Sequence, residues 1–197
     1  MSIAVVGWGS LIWCPGSLRI KTKWRRDGPV LPIEFARISD GQRLTLVIHP
    51  GSPQQNTYWA LSELDELDAA RGNLKEREGC SSLSAIHYFR LNDSTPSLPS
   101  AVKSALESWF PKHRDEIEAA IWTGLSTNWC EKFRRDFSPD DAVRYLEDLK
   151  AQKTTYERAK EYVQNAPPSI QTEVRKLMRK KGWEDAKLSD SLFEPEA

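Results

Sequence analysis

The apolar and polar positions form two patterns along the chain, with strand-like runs before about residue 90 and helical spacing after it. An uninterrupted apolar run at 3–7 predicts a buried strand that ends in a glycine-rich turn. Further strand-like runs lie at 30–39, 43–48, 57–61 and 85–91. Asp40-Gly41 separates the first two of these runs and predicts a hairpin turn.

One helix is predicted inside the strand-rich part, and a second one follows it. Leucines between 61 and 74 recur at helical spacing, and Ser62 is expected to cap this helix because acidic residues follow it. A connector rich in serine and proline begins after residue 92 and leads to an expected helix near 100–118. The run at 119–125 fits either a strand or a helix.

The C-terminal part of the chain is predicted to be helical. Ser138 is followed by proline and two acidic residues, which is typical of a helix start, and this helix should run to about Gln164. Two consecutive prolines at 167–168 then stop it. Ser169 is expected to cap a last helix that reaches about Lys181.

Composition and charge exclude several classes of protein. The chain has 197 residues, and its 28 basic residues balance its 28 acidic ones, which argues against broad nucleic-acid binding. It has no apolar run long enough to span a membrane, and its first residues lack the basic region of a signal peptide. Three scattered cysteines fit reduced thiols. We therefore expect a cytoplasmic protein with no membrane and no nucleic-acid partner.

The turn Gly7-Trp8-Gly9-Ser10-Leu11 is the first candidate for chemistry. A glycine-rich turn directly after a strand can direct backbone N–H groups at an anion or a carbonyl oxygen. The dinucleotide-binding fingerprint is excluded because its third glycine would fall at Ile12. A tight turn with a structural role alone is the alternative.

Glu78 is the second candidate, where the predicted acidic helix ends and Gly79 follows. A carboxylate in this position can lie at the mouth of a pocket, and the alternative is a solvated glutamate at a helix end. No pair of Cys and His residues has the spacing of metal ligands, so no metal site is expected. The basic residues between 175 and 181 are interpreted as a solvated face, with a nucleic-acid or protein contact as a weaker alternative.

Taken together, these motifs resemble the γ-glutamylcyclotransferase-like family. Gly7-Trp8-Gly9-Ser10-Leu11 resembles its Tyr-Gly-Ser-Leu signature, and Leu64…Leu67-Asp68…Leu74…Arg77-Glu78-Gly79 is similar to its segment L-x-x-L-D-x-x-E-G. Phe35-Ala36-Arg37-Ile38-Ser39 and Thr57-Tyr58-Trp59-Ala60-Leu61 look like two of its strands. The four matches occur in the family's order and cover about residues 3–90.

The resemblance implies an α+β fold, with a small mixed β-barrel, surrounding helices and a helical C-terminal extension. The expected division is a barrel domain at 1–126 and the extension at 127–197. The implied reaction needs no metal or cofactor: the α-amine of a γ-glutamyl amide attacks its own γ-carbonyl and releases 5-oxoproline.

The resemblance also assigns roles to residues. Glu78 is the implied general acid/base, and the implied substrate-binding residues are Gly7, Trp8, Gly9, Ser10 and Leu11, with Arg37 as a partner for a substrate carboxylate. Gly9, Ser10 and Leu11 would provide backbone N–H groups to the γ-glutamyl end of the substrate.

Two departures from the family pattern favour an alternative function. Trp8 replaces the signature tyrosine and therefore has no hydroxyl group, and Ala85 stands where the family often has another tyrosine. The alternative is a catalytically inactive barrel that binds a small molecule or a protein. The sequence leaves the leaving amine, the role of 127–197 and the formation of a homodimer open.

Overall fold

The computed structural model describes residues 2–91 and 98–195. Its strands are β1 (Ser2–Gly7), β2 (Val30–Ile38), β3 (Leu44–Ile48), β4 (Gln54–Asn56), β5 (Tyr58–Leu61), β6 (Ile86–Phe89) and β7 (Ile117–Thr123). Its α-helices are α1 (Leu67–Glu78), α2 (Ser100–Trp109), α3 (Trp129–Phe133), α4 (Pro139–Asp148), α5 (Lys153–Gln164) and α6 (Glu173–Lys180). The predicted mixed α+β class is confirmed. The serine- and proline-rich connector predicted after residue 92 lies largely outside the described residues.

A four-stranded sheet with the order β5-β1-β7-β6 contains the first strand of the chain. β1 is parallel to β7 and antiparallel to β5, and β6 is antiparallel to β7. Ile3, Ala4, Val5 and Val6 in β1 are almost completely buried. This burial explains why β1 has a continuous apolar run rather than an alternating one, since both of its faces are covered. The prediction of a buried first strand is confirmed.

The second sheet has three strands in the order β3-β2-β4. β2 and β3 form the predicted antiparallel hairpin, in which Ile38 pairs with Leu44. Within the turn, Gln42 has the left-handed backbone conformation with φ of 59°. The turn closes through hydrogen bonds between the backbones of Ser39 and Arg43 and between those of Gln42 and Ser39. The short strand β4 was not predicted.

Two of the predicted helix positions are wrong in the first half of the chain. α1 begins at Leu67 rather than directly after Ser62, because the Ser62 hydroxyl accepts the backbone N–H of Leu64 and closes a local turn instead. The helix expected near 100–118 ends at Trp109, and a 3₁₀ turn follows over Phe110–Lys112. The ambiguous run 119–125 lies mostly in strand β7.

The C-terminal helices follow the predicted pattern with two corrections. Ser138 caps α4 as predicted, because its hydroxyl accepts the backbone N–H of Asp141. The single helix expected to reach Gln164 is interrupted by a 3₁₀ turn at Leu149–Ala151, where Leu149 is buried. The last helix is capped by Thr172 and not by Ser169, because the Thr172 hydroxyl accepts the backbone N–H of Arg175.

The chain divides into two compact units. Unit 1 comprises the described residues of Met1–Leu31, Asn56–Leu125 and Ser189–Ala197, and unit 2 comprises Pro32–Gln55 and Ser126–Leu188. The predicted division into 1–126 and 127–197 stays a prediction. In the described part of the chain, no helix combines the length and the apolar character needed to cross a bilayer.

Candidate functional site

The candidate turn follows β1 in unit 1, and close packing fixes its position. Gly7, the last residue of β1, pairs with Tyr58 of β5. A methyl group added to Gly7 would lie 3.0 Å from ring atoms of Trp24, so a larger residue would require this indole to shift. Trp8, Gly9 and Leu11 are buried, and Ser10 is half-buried. The turn therefore starts from a rigid, closely packed strand end.

The backbone of this turn has unused hydrogen-bond donors. The N–H of Ile12 donates to the carbonyl of Gly9, and the N–H of Cys14 donates to the carbonyl of Ser10. Within the described residues, the N–H groups of Gly9, Ser10 and Leu11 have no protein acceptor. Buried N–H groups without an acceptor are rare in folded proteins. Gly9 and Leu11 are buried and Ser10 is half-buried, so these three consecutive N–H groups are candidates to bind a ligand oxygen.

Glu78 is the last residue of α1, and the helix ends there for a local reason. Gly79 adopts the left-handed conformation with φ of 65°, and its N–H donates to the carbonyl of Glu76 at 3.1 Å. This arrangement is the usual glycine C-cap. It stops the helix directly after Glu78, whose side chain is 19% exposed. The carboxylate therefore has access to solvent, but most of its surface is covered.

Arg77 connects Glu78 to the glycine-rich turn. One terminal nitrogen of its guanidinium, Nη1, donates to the Glu78 carboxylate. The other, Nη2, donates to Ser10 Oγ at 3.2 Å and to the Cys14 carbonyl at 2.6 Å. Its Nε donates to the Pro15 carbonyl at 3.3 Å. One side chain thus holds the end of α1 against the segment that follows β1.

This arrangement combines two chemical functions in unit 1. A carboxylate can accept and return a proton, and backbone N–H groups can stabilise negative charge that develops on a substrate oxygen. The positive charge of Arg77 balances the negative charge of the Glu78 carboxylate. The structure brings Glu78 and Ser10 together through Arg77, and Gly7, Trp8, Gly9 and Leu11 belong to the same turn.

Arg37 is not a member of this group. It lies in β2 within unit 2, where its Nη1 donates to the carbonyl of Ser126 at 2.8 Å. Its backbone carbonyl accepts a hydrogen bond from the hydroxyl of Thr45. Its role as a partner for a substrate carboxylate stays a prediction.

The sequence pattern gives Arg77 no role, although this residue connects Glu78 to the glycine-rich turn. The only local signal is its position directly before Glu78. A guanidinium bears donors on three nitrogen atoms and can bridge several acceptors, but its partners Ser10, Cys14 and Pro15 are more than sixty residues away in sequence. The contact could therefore be found only from the tertiary structure.

The described residues contain no group of three or more His, Cys, Asp or Glu side chains arranged to hold a metal ion. Cys14 and Cys130 are free thiols.

Comparisons with known proteins do not assign the chain to a family. No protein-family model, curated protein or solved structure matches it.

Proposed function

We propose that this protein is a γ-glutamylcyclotransferase-like enzyme that releases 5-oxoproline from a γ-glutamyl amide. The observation that carries the proposal is the contact of Arg77 with both Glu78 and Ser10. It joins a carboxylate to a turn with three unused N–H donors, which is the pair of functions that this reaction needs. The resemblance of both motifs to this family adds independent support from the sequence.

In the proposed reaction, the Glu78 carboxylate first removes a proton from the substrate α-ammonium group. The free amine attacks the γ-carbonyl carbon, so a C–N bond forms and the carbonyl oxygen becomes negatively charged. The N–H groups of Gly9, Ser10 and Leu11 would stabilise this oxyanion. Glu78 then returns its proton to the leaving nitrogen as the original amide bond breaks. The ring nitrogen loses its second proton, which the released amine takes up, so the products are the neutral lactam and an ammonium ion. Because the attack is intramolecular, the protein mainly has to hold a ring-closing geometry.

Several finer expectations belong to the same proposal. They are a small mixed β-barrel that carries the site, a helical C-terminal extension at 127–197, and a cytoplasmic location. The proposed chemistry uses only side-chain and backbone groups and requires no cofactor.

A catalytically inactive binding protein is the second candidate, and the ion pair between Arg77 and Glu78 favours it. A carboxylate that only neutralises a neighbouring guanidinium has a structural role. The turn could still bind a carbonyl or an anion through its N–H groups. The two candidates differ in whether replacing the Glu78 carboxylate abolishes turnover or leaves ligand binding unchanged.

The test is 5-oxoproline release from a panel of γ-glutamyl amino acids, γ-glutamyl amines and glutathione. The wild-type chain is compared with Glu78→Gln, which keeps the size of the side chain but cannot remove a proton. We expect the variant to lose about 10²–10⁴-fold in kcat/KM, the usual contribution of a general acid/base.

Glu76→Gln is the matched control, since Glu76 is an exposed residue of the same helix. It should keep wild-type activity, and circular dichroism should show that both variants are folded. Absence of turnover across the panel by folded wild-type protein would contradict the proposed enzymatic activity. Equal turnover by wild type and Glu78→Gln would contradict the role of Glu78.

A further inference from the structure

The ion pair of Arg77 and Glu78 has unused hydrogen-bonding capacity on both partners. A guanidinium bears five N–H donors, and Arg77 uses four of them, so one N–H on Nη1 has no acceptor among the described residues. The Glu78 carboxylate accepts the Arg77 hydrogen bond at Oε1, and its Oε2 has no donor within 2–91 and 98–195. An unused donor and an unused acceptor therefore belong to two groups that are already hydrogen-bonded to each other.

The surroundings of this pair favour a ligand with two opposite charges. The Arg77 and Glu78 side chains are 12% and 19% exposed, so both are largely covered and both still reach solvent. Charged hydrogen bonds formed at such a place are stronger than on an open surface, because water and salt screen them less. The guanidinium attracts an anion and the carboxylate attracts a cation. An α-amino acid head group carries both charges on one carbon atom.

Ser10 connects this ion pair to the glycine-rich turn. Its Oγ accepts a hydrogen bond from Arg77 Nη2 at 3.2 Å, and its N–H is one of the three in the turn without a described protein acceptor. The turn can therefore bind an oxygen at the far end of a ligand whose head group lies on the ion pair. A γ-glutamyl group has this arrangement, with an ammonium and a carboxylate on its α-carbon and a carbonyl oxygen at the γ-position.

We infer that Arg77 is the specificity-determining residue that recognises the α-carboxylate of the γ-glutamyl substrate, a role that rests on the proposed function. The unused N–H of Nη1 donates to this carboxylate. The ammonium group on the same carbon then lies at Glu78 Oε2, where the proposed proton transfer begins. The ion pair thus fixes the orientation of the attacking amine. This assignment differs from the role predicted for Arg37, and separate variants distinguish the two arginines.

The experiment is isothermal titration calorimetry of the full chain with two ligands that differ only at the α-carboxyl group. L-Glutamate carries an α-carboxylate, whereas L-isoglutamine carries an uncharged α-carboxamide of nearly the same size. In both ligands a γ-carboxylate occupies the place of the γ-carbonyl group. We expect wild-type protein to bind L-glutamate about tenfold or more tightly than L-isoglutamine, because a hydrogen bond between two charged groups is roughly twice as strong as a neutral one.

Arg77→Met tests the assigned residue, and Lys75→Met is the matched control in α1. The Lys75 ammonium group forms no ion pair or hydrogen bond in the described part of the chain. The preference for L-glutamate should disappear in Arg77→Met and persist in Lys75→Met. Arg77→Lys keeps the charge but not the planar arrangement of donors, so it should retain part of the preference. Circular dichroism verifies that each variant is folded.

Four results would overturn the role of Arg77. Wild-type protein may show no binding of L-glutamate, or equal affinity for the two ligands. The full preference could persist in folded Arg77→Met or Arg77→Lys, even with both ligands bound more weakly, which is the effect of a purely structural residue. An equal loss of preference in Lys75→Met would assign the effect to net charge. Loss of preference in Arg37→Met and not in Arg77→Met would assign the carboxylate to Arg37.

These results are distinguishable from a failure of the proposed reaction. Neither ligand contains a γ-amide bond, so their binding is measured whether or not the protein releases 5-oxoproline from amides. A preference for L-glutamate that depends on Arg77, without 5-oxoproline release from any γ-glutamyl amide, would contradict the reaction and keep the recognition by Arg77. Release of 5-oxoproline without this preference would contradict the role of Arg77 alone.

Discussion

Arg77 in unit 1 and Arg175 in unit 2 both use a guanidinium to tie a loop to a helix, and they differ in what lies beside them. Arg175 is in α6, and its side chain is 1% exposed. Its three nitrogens donate to the carbonyls of the segment before the helix and to a carboxylate; these acceptors are Gln164, Ala166, Pro167, Ile170 and Asp185. A guanidinium has five N–H donors, so the five acceptors saturate it.

Arg77 is less buried, at 12% exposed, and it has four described acceptors. One of these is the Glu78 carboxylate, which retains access to solvent. Another is the hydroxyl of Ser10, in a turn whose N–H groups at Gly9, Ser10 and Leu11 have no acceptor in the described structure. The comparison shows that a largely buried arginine with several acceptors does not by itself indicate a site. The useful signal is the hydrogen-bonding capacity that remains unused around it.

The largest expected difference between the two arginines is in the stability that the protein loses when each of them is replaced. Arg175→Met leaves the carbonyls of Ala166 and Ile170 and one oxygen of Asp185 without their described donor, so we expect the free energy of unfolding to fall by about 3–5 kcal/mol. The carbonyls of Gln164 and Pro167 keep backbone donors. Arg77→Met removes contacts that solvent can partly replace, and we expect a loss of about 1–3 kcal/mol. Urea denaturation of the purified variants measures both values.

Lys176→Met provides the baseline for these measurements, since Lys176 is an exposed neighbour of Arg175 that pairs with Glu173. Its effect should stay within about 0.5 kcal/mol. A loss of stability in Arg77→Met as large as that in Arg175→Met would contradict the proposed difference between the two arginines. Both arginines would then be structural to the same degree.

Gly72 inside α1 and Gly79 directly after it test how the end of this helix positions Glu78. Gly79→Ala forces a side chain into a left-handed conformation, so we expect a loss of about 1 kcal/mol in stability together with reduced 5-oxoproline release. Gly72→Ala should instead stabilise the protein by about 0.5–1 kcal/mol without changing activity. Gly72 lies inside the helix, and an added methyl group would contact nothing within 4 Å.

Thermal melting and activity assays on the two glycine variants separate the effects. Stabilisation by both substitutions would remove the argument that Gly79 is needed to end α1 at Glu78.

The smallest expected effect is the pH dependence of the saturated Arg175 cluster. Burial alone would raise the pKa of Asp185, but hydrogen bonds from Arg179 and Arg175 and their charges outweigh it and lower the pKa below the usual 3.8. The carboxylate is therefore favoured by folding. Its contribution is present above pH 3.8 and is lost as the pH falls through its folded pKa. Melting curves of wild type and Asp185→Asn should converge below pH 3.8.

Glu34, also in unit 2, is a carboxyl group whose pKa shifts in the opposite direction, so its effect on stability has the opposite pH dependence. Burial raises its pKa above 4.5, although the backbone N–H groups of Phe35 and Glu173 partly oppose this effect. Folding therefore favours its protonated form, and stability should fall as the pH rises above 4.5. Glu34→Gln should reduce this dependence. The same sign of pH dependence at both carboxyls would contradict the assigned causes.

Several elements could be predicted because nearby residues determine them. The apolar run of β1, the hairpin at Asp40-Gly41 and the Ser138 cap depend on local backbone and hydrogen-bond preferences, and all three occur. Ser62 and Ser169 carry similar local signals, but they do not cap their helices. A serine hydroxyl can accept from several nearby N–H groups, and the sequence does not determine which turn it closes.

The candidate site also has parts that the sequence predicts and parts that it does not predict. The glycine-rich turn and Glu78 could be identified from the sequence, because glycine conformations and helix ends leave local patterns. The connection through Arg77 and the saturation of Arg175 could not be identified. Each of the two depends on groups that are brought within hydrogen-bond or ion-pair distance only by folding. The amino-acid sequence thus determined the candidate chemical groups, and the tertiary structure decided which groups satisfy one another and which remain available to a ligand.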